Sequence, residues 1–437
     1  MGTPVTAPST ALLTDRYELT MVDAALADGT HARESVFEVF ARRLNGRRYG
    51  VFAGAGRLLD LIERFRFEEA ELEWLRAERV VSDQTLDWLA DYRFTGTITG
   101  YREGEVYFPG SPLLTLEAPF AEGVLLETLV LSVLNYDSAI ATAASRMVHA
   151  ASGRPIAEMG SRRANEHAAV AATRAAYIAG FSASSNLEAG RRWGIPTMGT
   201  AAHAFTLLHD SEEEAFRSQV AAMGVGTTLL VDTYNIEQGI ETAIRVAGAE
   251  LGGIRLDSGD LPKLVGKVRA QLDALGAKNT KITVTNDLDE YAIAVLSASP
   301  VDSYGVGTSV VTGSGVPAAG MVYKLVAHKN DAGEWIPVAK TSDGKASVGG
   351  RKVPIRHLDA SGTATAEVVH VLTKRPPRVE GRELLATLMT DGAADPAFLG
   401  AAGVAAARTH NAKAIEELPE EAFRLGQGEP VLNTQFV

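Results

Sequence analysis

Residues 253–272 read GIRLDSGDLPKLVGKVRAQL, which combines a short apolar run, a polar tip and the start of a helix. The run from Gly253 to Leu256 predicts a buried strand. Asp257 follows it directly, and Asp260 stands just before Pro262, a spacing typical of a helix N-terminus. The stretch therefore predicts one βα unit, and the fold depends on how often this pattern recurs.

The same order of strand, polar tip and helix recurs from about residue 139 to about residue 327. It predicts strands at residues 155–158, 180–184, 195–198, 228–231, 253–256, 281–285 and 303–306. The polar residues expected at the strand ends are Glu158 with Arg162, Asn186, Thr200 with His203, Asp232, Asp257, Asn286, and Gly307 with Thr308. Most successive tips lie roughly 20 to 30 residues apart, the length of a βα unit.

This number of alternating units predicts an α/β fold with an irregular (β/α) barrel rather than an open sheet. We expect the barrel, the catalytic domain, to span residues 139–337, with the strand tips facing one pocket. Residues 1–138 include a hairpin-like region at 95–119 and predict an α+β domain. Residues 338–437 are expected to pack with that domain and complete it. Two helix starts have capping-box spacing, Ser211 with Glu214 and Asp287 with Glu290.

Composition and charge restrict the class of protein. The chain has 437 residues, of which 46% are hydrophobic, enough for a large core in roughly two to three structural units. It contains no cysteine, which excludes disulfides and cysteine-bound metals and favours an intracellular protein. The net charge of −12 argues against a broad basic face for nucleic acid, while a pocket for a small anion depends on its local field.

The N-terminal residues lack the basic and apolar regions of a secretory signal. Gly2 and Thr6 match the loose myristoylation pattern, but no polybasic segment supports it. No segment is expected to be long enough to span a bilayer. We therefore predict a cytoplasmic protein without a membrane partner.

His203 lies in residues 199–210, GTAAHAFTLLHD, just beyond a predicted strand end. An imidazole on a loop opened by small residues is placed to take part in chemistry. A histidine near an apolar segment is also commonly a structural residue. The other strand tips, which would converge on the same rim, favour the functional interpretation.

Two further segments predict anion binding. Residues 303–315, SYGVGTSVVTGSG, offer backbone amides at Gly305 and Gly307 and the hydroxyl of Thr308, which suit a phosphate monoester. They match neither the Walker A pattern nor the dinucleotide fingerprint. Residues 158–167, EMGSRRANEH, place Arg162 and Arg163 after a strand, where guanidinium groups suit phosphate or carboxylate. A solvated helix start is the alternative for these arginines.

Arg255 and Asp257 are two residues apart and project to the same side of an extended strand. A simple arginine–aspartate pair in a glycine turn is the alternative to a substrate site. Asp232 and Asp257 could hold Mg²⁺, but an ion bound mainly through substrate phosphates and water needs few protein ligands. We expect Mg²⁺ to arrive with the substrate, and no built-in metal.

Eight segments together resemble the nicotinate phosphoribosyltransferase family, in order and across most of the chain. They are TDRYELT, FEVFARRL, EMGSRR, FSASSN, MGTAAHAF, LLVDTYN, IRLDSGD and GVGTSVVT. The resemblance implies a type II phosphoribosyltransferase fold and a homodimer with shared active sites. It also implies that nicotinate and 5-phosphoribosyl 1-pyrophosphate are converted into nicotinate mononucleotide and pyrophosphate. In the family this reaction is coupled to ATP hydrolysis, which places it in the ligase class, and it brings salvaged nicotinate into NAD synthesis.

The resemblance also implies roles for single residues. Arg255 would hold the nicotinate carboxylate, and Thr200 would also contact the substrate. Asp257 would bind the ribose hydroxyls or order Mg²⁺. Tyr17 would stack on the pyridine ring from the neighbouring subunit, and His203 would be the histidine that ATP phosphorylates.

The phosphate contacts implied by the resemblance come from four residues. Gly307 and Thr308 would surround the 5-phosphate of the ribosyl donor. Arg162 and Arg42 would add positive charge at the phosphates. Asn186 would belong to the substrate site, and the neutral tip Ser185–Asn186 favours nicotinate over nicotinamide, because an acidic residue there would favour the amide.

Three other functions stay open. Nicotinamide phosphoribosyltransferases share the fold and the histidine. Quinolinate phosphoribosyltransferases have shorter chains and are not expected to carry this histidine loop. A non-catalytic sensor of pyridine or phosphate ligands would be favoured by loss of His203, Arg255 or Asp257, and all three are present.

Overall fold

The computed structural model describes residues 8–341, 347–372 and 380–437. The chain divides into two units, one from the N-terminus to Ala141 together with Ala318–Val437, the other Thr142–Pro317. The predicted barrel boundary at residue 337 differs from this division, because Met321–Lys329 pairs with a strand of the N-terminal segment. Gly2 and Thr6 lie outside the described residues.

The N-terminal segment contains five short helices, one helix of 24 residues and antiparallel strands. Its helices are α1 (Arg16–Asp28), α2 (Ala55–Glu63), α3 (Glu69–Ala77), α4 (Asp83–Asp91), α5 (Phe120–Val124) and α6 (Glu127–Ala150), and its strands are β1 (Glu34–Ala41), β2 (Gly50–Val51), β3 (Thr97–Tyr101), β4 (Val106–Tyr107) and β5 (Leu114–Pro119). Strands β3 and β5 pair antiparallel, with Thr97 opposite Glu117. The predicted hairpin-like region at 95–119 is thereby confirmed.

The unit Thr142–Pro317 alternates strands and helices. In chain order it contains β6 (Ile156–Glu158), α7 (Glu166–Ile178), β7 (Ala183–Ser184), α8 (Leu187–Trp193), α9 (His203–Leu208), α10 (Glu212–Met223), β8 (Thr228–Leu230), α11 (Ile236–Ala247), β9 (Gly253–Leu256), α12 (Leu261–Ala274), β10 (Lys281–Val284), α13 (Glu290–Leu296), β11 (Ser303–Val306) and α14 (Thr308–Val311). All pairings in its sheet are parallel. The predicted α/β class is confirmed.

The parallel sheet has the strand order β7-β6-β11-β10-β9-β8 and forms a half barrel. On one face its central strands bury Ile254 and Leu256 of β9 and Ile282 and Val284 of β10, because alternate residues of a strand point to the same side. The predicted strand at 195–198 is wrong. That segment makes a single parallel bridge, between Thr197 and Ser184, and adds no further strand to the β7 edge.

Helix caps orient the loops at the rim. Ser211 accepts a hydrogen bond from the backbone N–H of Glu214, as predicted. The predicted cap at Asp287 is wrong: the N-cap of α13 is Asp289, two residues later, and it accepts hydrogen bonds from the N–H groups of Tyr291 and Ala292. Asp287 is therefore free of a capping role.

The C-terminal segment, Ala318–Val437, belongs to the same unit as the N-terminal segment. We call this unit the antiparallel unit, because most of its strand pairs are antiparallel. The C-terminal segment contains β12 (Met321–Lys329), β13 (Trp335–Pro337), β14 (Arg351–Leu358), β15 (Ala364–Leu372), β16 (Arg382–Glu383), β17 (Leu385–Thr390), β18 (Ala393–Ala394), α15 (Gly400–Glu416) and β19 (Thr434–Phe436). One sheet has the order β13-β12-β1-β5-β3-β17-β18, and a second has the order β16-β14-β15-β19. Strands from both chain ends thus share one sheet.

One segment, Phe120–Ala150, is long and apolar enough by length and composition to cross a membrane. The expectation that the chain holds no such segment is therefore wrong. Within the described structure 67% of its apolar window is buried, as in a core helix. Length and composition alone do not separate these two cases.

Candidate active site

A cavity of about 230 Å³ opens at the carboxyl ends of β6, β9, β10 and β11. Ligand sites in α/β folds lie at this end of the strands. Its walls are formed by three arginines, two aspartates, one methionine and small or polar residues, namely Met159, Arg162, Arg163, Arg255, Asp257, Thr285, Asn286, Asp287, Gly305, Gly307 and Thr308. The cavity thus combines cationic and anionic groups on one rim.

Arg255 projects from β9 into this cavity. Its Nη1 atom donates to Thr200 Oγ1 at 2.5 Å, and its Nε is buried without a hydrogen-bond partner in the described structure. Burial lowers the pKa of the Arg255 guanidinium, while the nearby carboxylates of Asp257 and Asp232 oppose that shift. A partly buried guanidinium with N–H groups that lack hydrogen-bond partners suits a carboxylate ligand.

Three groups fix the two aspartates that follow β8 and β9. Asp232 Oδ2 accepts from the backbone N–H of Asp257 at 2.8 Å and from Ser258 Oγ at 2.7 Å. Thr285 Oγ1 donates to Asp257 Oδ1. The carboxylates are therefore held in place, and their remaining oxygens are free for other partners.

His203 is the first residue of α9 and its side chain is 40% exposed. Nδ1 lies 3.1 Å from Thr233 Oγ1. Nε2 lies 3.9 Å from Asp232 Oδ1 and 4.0 Å from Asp257 Oδ2. The imidazole therefore stands beside both aspartates, as a group at the rim of the same site.

Close packing around β11 requires glycine. A Cβ atom on Gly305 would lie 2.6 Å from Thr285 Cγ2 and 2.7 Å from Met159 Sδ. Gly307 precedes α14, where Thr308 is the first residue. The absence of a side chain at Gly307 leaves the backbone at this wall open to a ligand.

Several wall residues were not among the sequence-based candidates. Thr285 and Asp287 line the cavity, and Asn286 adopts a left-handed backbone with φ of +100°. A left-handed residue other than glycine is a strained conformation often found at functional sites. The sequence signal that could have identified Thr285 and Asp287 is their position next to Asn286, which the sequence predicts at the end of this strand.

Asn186 lies outside the cavity wall. Its Oδ1 accepts from the N–H of Ala189, and its Nδ2 donates to Ser161 Oγ, each at 2.9 Å. Both ends of the amide are thus occupied by protein groups. This geometry favours a supporting role for Asn186 over direct contact with substrate.

Tyr17 and Arg42 belong to the antiparallel unit. Tyr17, in the first turn of α1, is 47% exposed, and burial of its inner part together with the charge of Glu127 raises its pKa to about 12. Arg42 is exposed and borders a cavity of about 310 Å³ within that unit. Their predicted contacts with substrate stay predictions.

The unit Thr142–Pro317 offers few protein ligands for a metal ion. Within residues 8–341, 347–372 and 380–437 no cluster of three or more acidic or histidine side chains has metal-binding geometry. Asp232 Oδ1 is nevertheless buried without a partner, and Asp257 is partly exposed. These oxygens fit an Mg²⁺ ion that is held mainly by substrate phosphates and water.

Two sequence families match consecutive parts of the chain. Residues 12–135 match the nicotinate phosphoribosyltransferase (NAPRTase) N-terminal domain. Residues 140–316 match the quinolinate phosphoribosyl transferase C-terminal domain. The second match covers the half barrel and every residue of the cavity wall.

Full-length relatives and a solved structure extend these matches. A nicotinate phosphoribosyltransferase of Mycobacterium tuberculosis is 53% identical over 100% of this chain and 97% of its own length. One from Bacillus subtilis is 39% identical over 81% of this chain and 74% of its own length. The crystal structure of human nicotinic acid phosphoribosyltransferase has a TM-score of 0.80 at 24% identity and covers 97% of both chains, a likeness of fold.

Proposed function

The chain belongs to the nicotinate phosphoribosyltransferase family, and we propose that it forms nicotinate mononucleotide and pyrophosphate from nicotinate and 5-phosphoribosyl 1-pyrophosphate. The observation that carries the proposal is the cavity at the strand ends, where Arg255, Arg162 and Asp257 face one space. The guanidinium groups on its wall suit the carboxylate and phosphate groups of these anionic substrates. The reaction would bring salvaged nicotinate into NAD synthesis.

The transfer step needs orientation and charge stabilisation more than a protein nucleophile. The ring nitrogen of nicotinate attacks C1 of the ribosyl group, the C1–O bond to pyrophosphate breaks, and the ribose passes through an oxocarbenium-like state. Holding both reactants in line and neutralising the leaving pyrophosphate accounts for most of such a rate enhancement. Mg²⁺ bound with the donor would supply further positive charge at the pyrophosphate.

Each substrate has matching groups in the cavity. The guanidinium of Arg255, held by Thr200, would pair with the nicotinate carboxylate. The backbone at Gly307 and the hydroxyl of Thr308 would take the 5-phosphate. Asp257, fixed by Thr285, would bind ribose hydroxyls or order Mg²⁺.

We further propose that ATP phosphorylates His203. A nitrogen lone pair of the neutral imidazole attacks the γ-phosphorus, the bond to the bridging oxygen breaks and ADP leaves; water later cleaves the N–P bond and releases phosphate. Asp232 and Asp257, within 4.0 Å of Nε2, would orient the ring.

The proposed working form is a cytoplasmic homodimer. Tyr17, with its exposed ring, would stack on the pyridine bound in the neighbouring subunit. Arg42, which is exposed as well, would add charge at the phosphates. Small molecules are the expected partners, namely nicotinate, 5-phosphoribosyl 1-pyrophosphate and ATP.

The decisive experiment is turnover of labelled nicotinate with 5-phosphoribosyl 1-pyrophosphate and Mg²⁺, with and without ATP, in parallel with nicotinamide and quinolinate. We expect nicotinate mononucleotide from nicotinate, formed faster with ATP. Turnover of nicotinamide or quinolinate in its place would overturn the substrate assignment. Equal rates with and without ATP would overturn the coupling, and no turnover of any substrate would support a ligand sensor.

A further inference from the structure

Arg162 and Arg163 occupy a single 3₁₀ turn, Ser161–Arg163, at the cavity wall. Both side chains are exposed, and neither forms an ion pair within the described parts of the chain. A lone 3₁₀ turn has little stability of its own. Contacts between the turn and the rest of the unit must therefore fix the position of these two charges.

The turn is attached to β7 through Asn186. Asn186 Nδ2 donates to Ser161 Oγ at 2.9 Å, and the backbone N–H of Asn186 donates to Ser184 Oγ at 2.9 Å. Ser184 Oγ in turn donates to Glu158 Oε2 at 2.7 Å. These contacts form one continuous chain of hydrogen bonds from the turn into the sheet.

Glu158 anchors that chain in the core. Its carboxylate is buried, and it accepts from Ser184, from Thr173 Oγ1 at 2.7 Å and from the N–H of Gly160. Gly160 also packs tightly, since a Cβ atom there would lie 2.3 Å from Val311 Cγ1. A buried carboxylate with three donors is well satisfied and strongly fixed in position. It ties β6, α7 and β7 to the start of the arginine turn.

We infer that Asn186 and Ser161 are positioning residues, which hold the Ser161–Arg163 turn so that its arginines are set for the phosphates of the ribosyl donor. This inference rests on the proposed function and on the role at the phosphates that the family resemblance implies for Arg162. The benefit is preorganisation, because exposed arginines lose side-chain entropy when they bind an anion. The polar tip after β7 would thus act on the donor without touching it.

Ser161→Ala tests the inference, because it removes the accepting hydroxyl and leaves the Asn186 cap of α8 intact. We expect the dissociation constant and the KM for 5-phosphoribosyl 1-pyrophosphate to rise about fivefold, the size of one net hydrogen bond. The kcat and the KM for nicotinate should change much less. Amide exchange across residues 160–164, followed by mass spectrometry, should become faster.

Ser303→Ala is the matched control. Ser303 is the first residue of β11, at the amino end of that strand and away from the cavity at its carboxyl end, and its Oγ is hydrogen-bonded to Thr283 Oγ1 at 2.8 Å. Its loss should leave donor binding and exchange at 160–164 unchanged. An equal effect of Ser303→Ala, or no effect of Ser161→Ala on either measurement, would overturn the inference.

Asn186→Ala and the double variant separate coupled from independent roles. If Asn186 acts on the donor through Ser161, the double variant should bind the donor no more weakly than Asn186→Ala alone. If the increases in the donor dissociation constant of the two single variants multiply in the double variant, the two residues act separately and the inference is overturned. Amide exchange at residues 160–164 is measured without any substrate, so it tests the role of the turn independently of activity. Failure of the proposed function would be seen in the turnover assay instead.

Discussion

The Nε2 atom of His203 lies 3.9 Å from Oδ1 of Asp232, a buried carboxylate oxygen without a hydrogen-bond partner in the described structure. The other oxygen of Asp232 is held by the N–H of Asp257 and by Ser258 Oγ. The unpaired oxygen thus has a fixed direction, and the imidazole is a polar group within 4 Å of it. A small movement of the ring would form a hydrogen bond between Nε2 and Oδ1 of Asp232, and this bond would fix the orientation of Nδ1.

Asp232→Asn should slow phosphorylation of His203 at least about tenfold, since a hydrogen bond to a charged group contributes roughly 1.5–3 kcal/mol. The amide keeps the shape and loses the charge. Acid-labile label from γ-labelled ATP measures the step, and His203→Ala should abolish it. Asp210→Asn, an exposed site seven residues beyond His203 in the chain, is the control. Unchanged labelling in Asp232→Asn would contradict a role for this carboxylate.

Arg255→Ala should weaken nicotinate binding far more than binding of the ribosyl donor. The side chain is partly buried and held by Thr200, so its removal leaves the nicotinate carboxylate without its partner. We expect the KM for nicotinate to rise about tenfold or more, in line with loss of a charge-assisted pair. Arg245→Ala, an exposed arginine paired with Glu213, should leave both constants unchanged. A uniform loss would indicate a general electrostatic or folding effect.

The parallel sheet was largely predictable from sequence. Strands β9, β10 and β11 are short segments of mostly buried residues, so their hydrophobic pattern and the polar residues after them predict both the strands and the rim. Residues 195–198 show the same local pattern. Because this segment lies beside the edge strand β7, only Thr197 pairs, and local sequence carries no information about that.

Side-chain direction was the less predictable part of the site. Asn186 follows β7, as the sequence predicts, but its amide points to Ser161 and to the N-terminus of α8. Asp287 had the spacing of a cap, yet the left-handed turn at Asn286 moves the helix start to Asp289. Both outcomes depend on backbone dihedrals, which residue spacing does not determine.

Mixing Tyr17→Ala protein with His203→Ala protein should restore activity if sites are shared between subunits. Each variant alone lacks one component at every site. A hybrid dimer has one site that receives both intact residues, so up to about a quarter of wild-type activity is expected after random exchange of subunits. Turnover after joint unfolding and refolding measures this, with separately refolded variants as controls. Lack of rescue would contradict shared sites.

Glu105 lies at the centre of a buried charge network in the antiparallel unit. Arg356 Nη1 donates to it at 2.7 Å, and Arg382 Nη1 and His410 Nε2 approach it at 2.8 Å. Burial alone would raise the pKa of this carboxyl, but the hydrogen bonds from His410 and Arg382 and the charge of Arg356 outweigh it and hold the pKa well below its usual range. The network joins β4, β14, β16 and α15, so it links the two chain ends.

Glu105→Gln should lower the free energy of unfolding at neutral pH by about 3 kcal/mol, because it removes one of the two buried carboxylates that pair with the buried Arg356. A carboxyl with a depressed folded pKa stabilises the fold above its unfolded pKa, near 4.5, and loses that contribution as the pH falls towards the folded value. The difference between wild type and Glu105→Gln should therefore shrink below about pH 4.5. Urea unfolding between pH 7 and pH 3.5 measures it. The exposed Glu73→Gln should show no difference, and a gap that stays constant with pH would contradict the assignment.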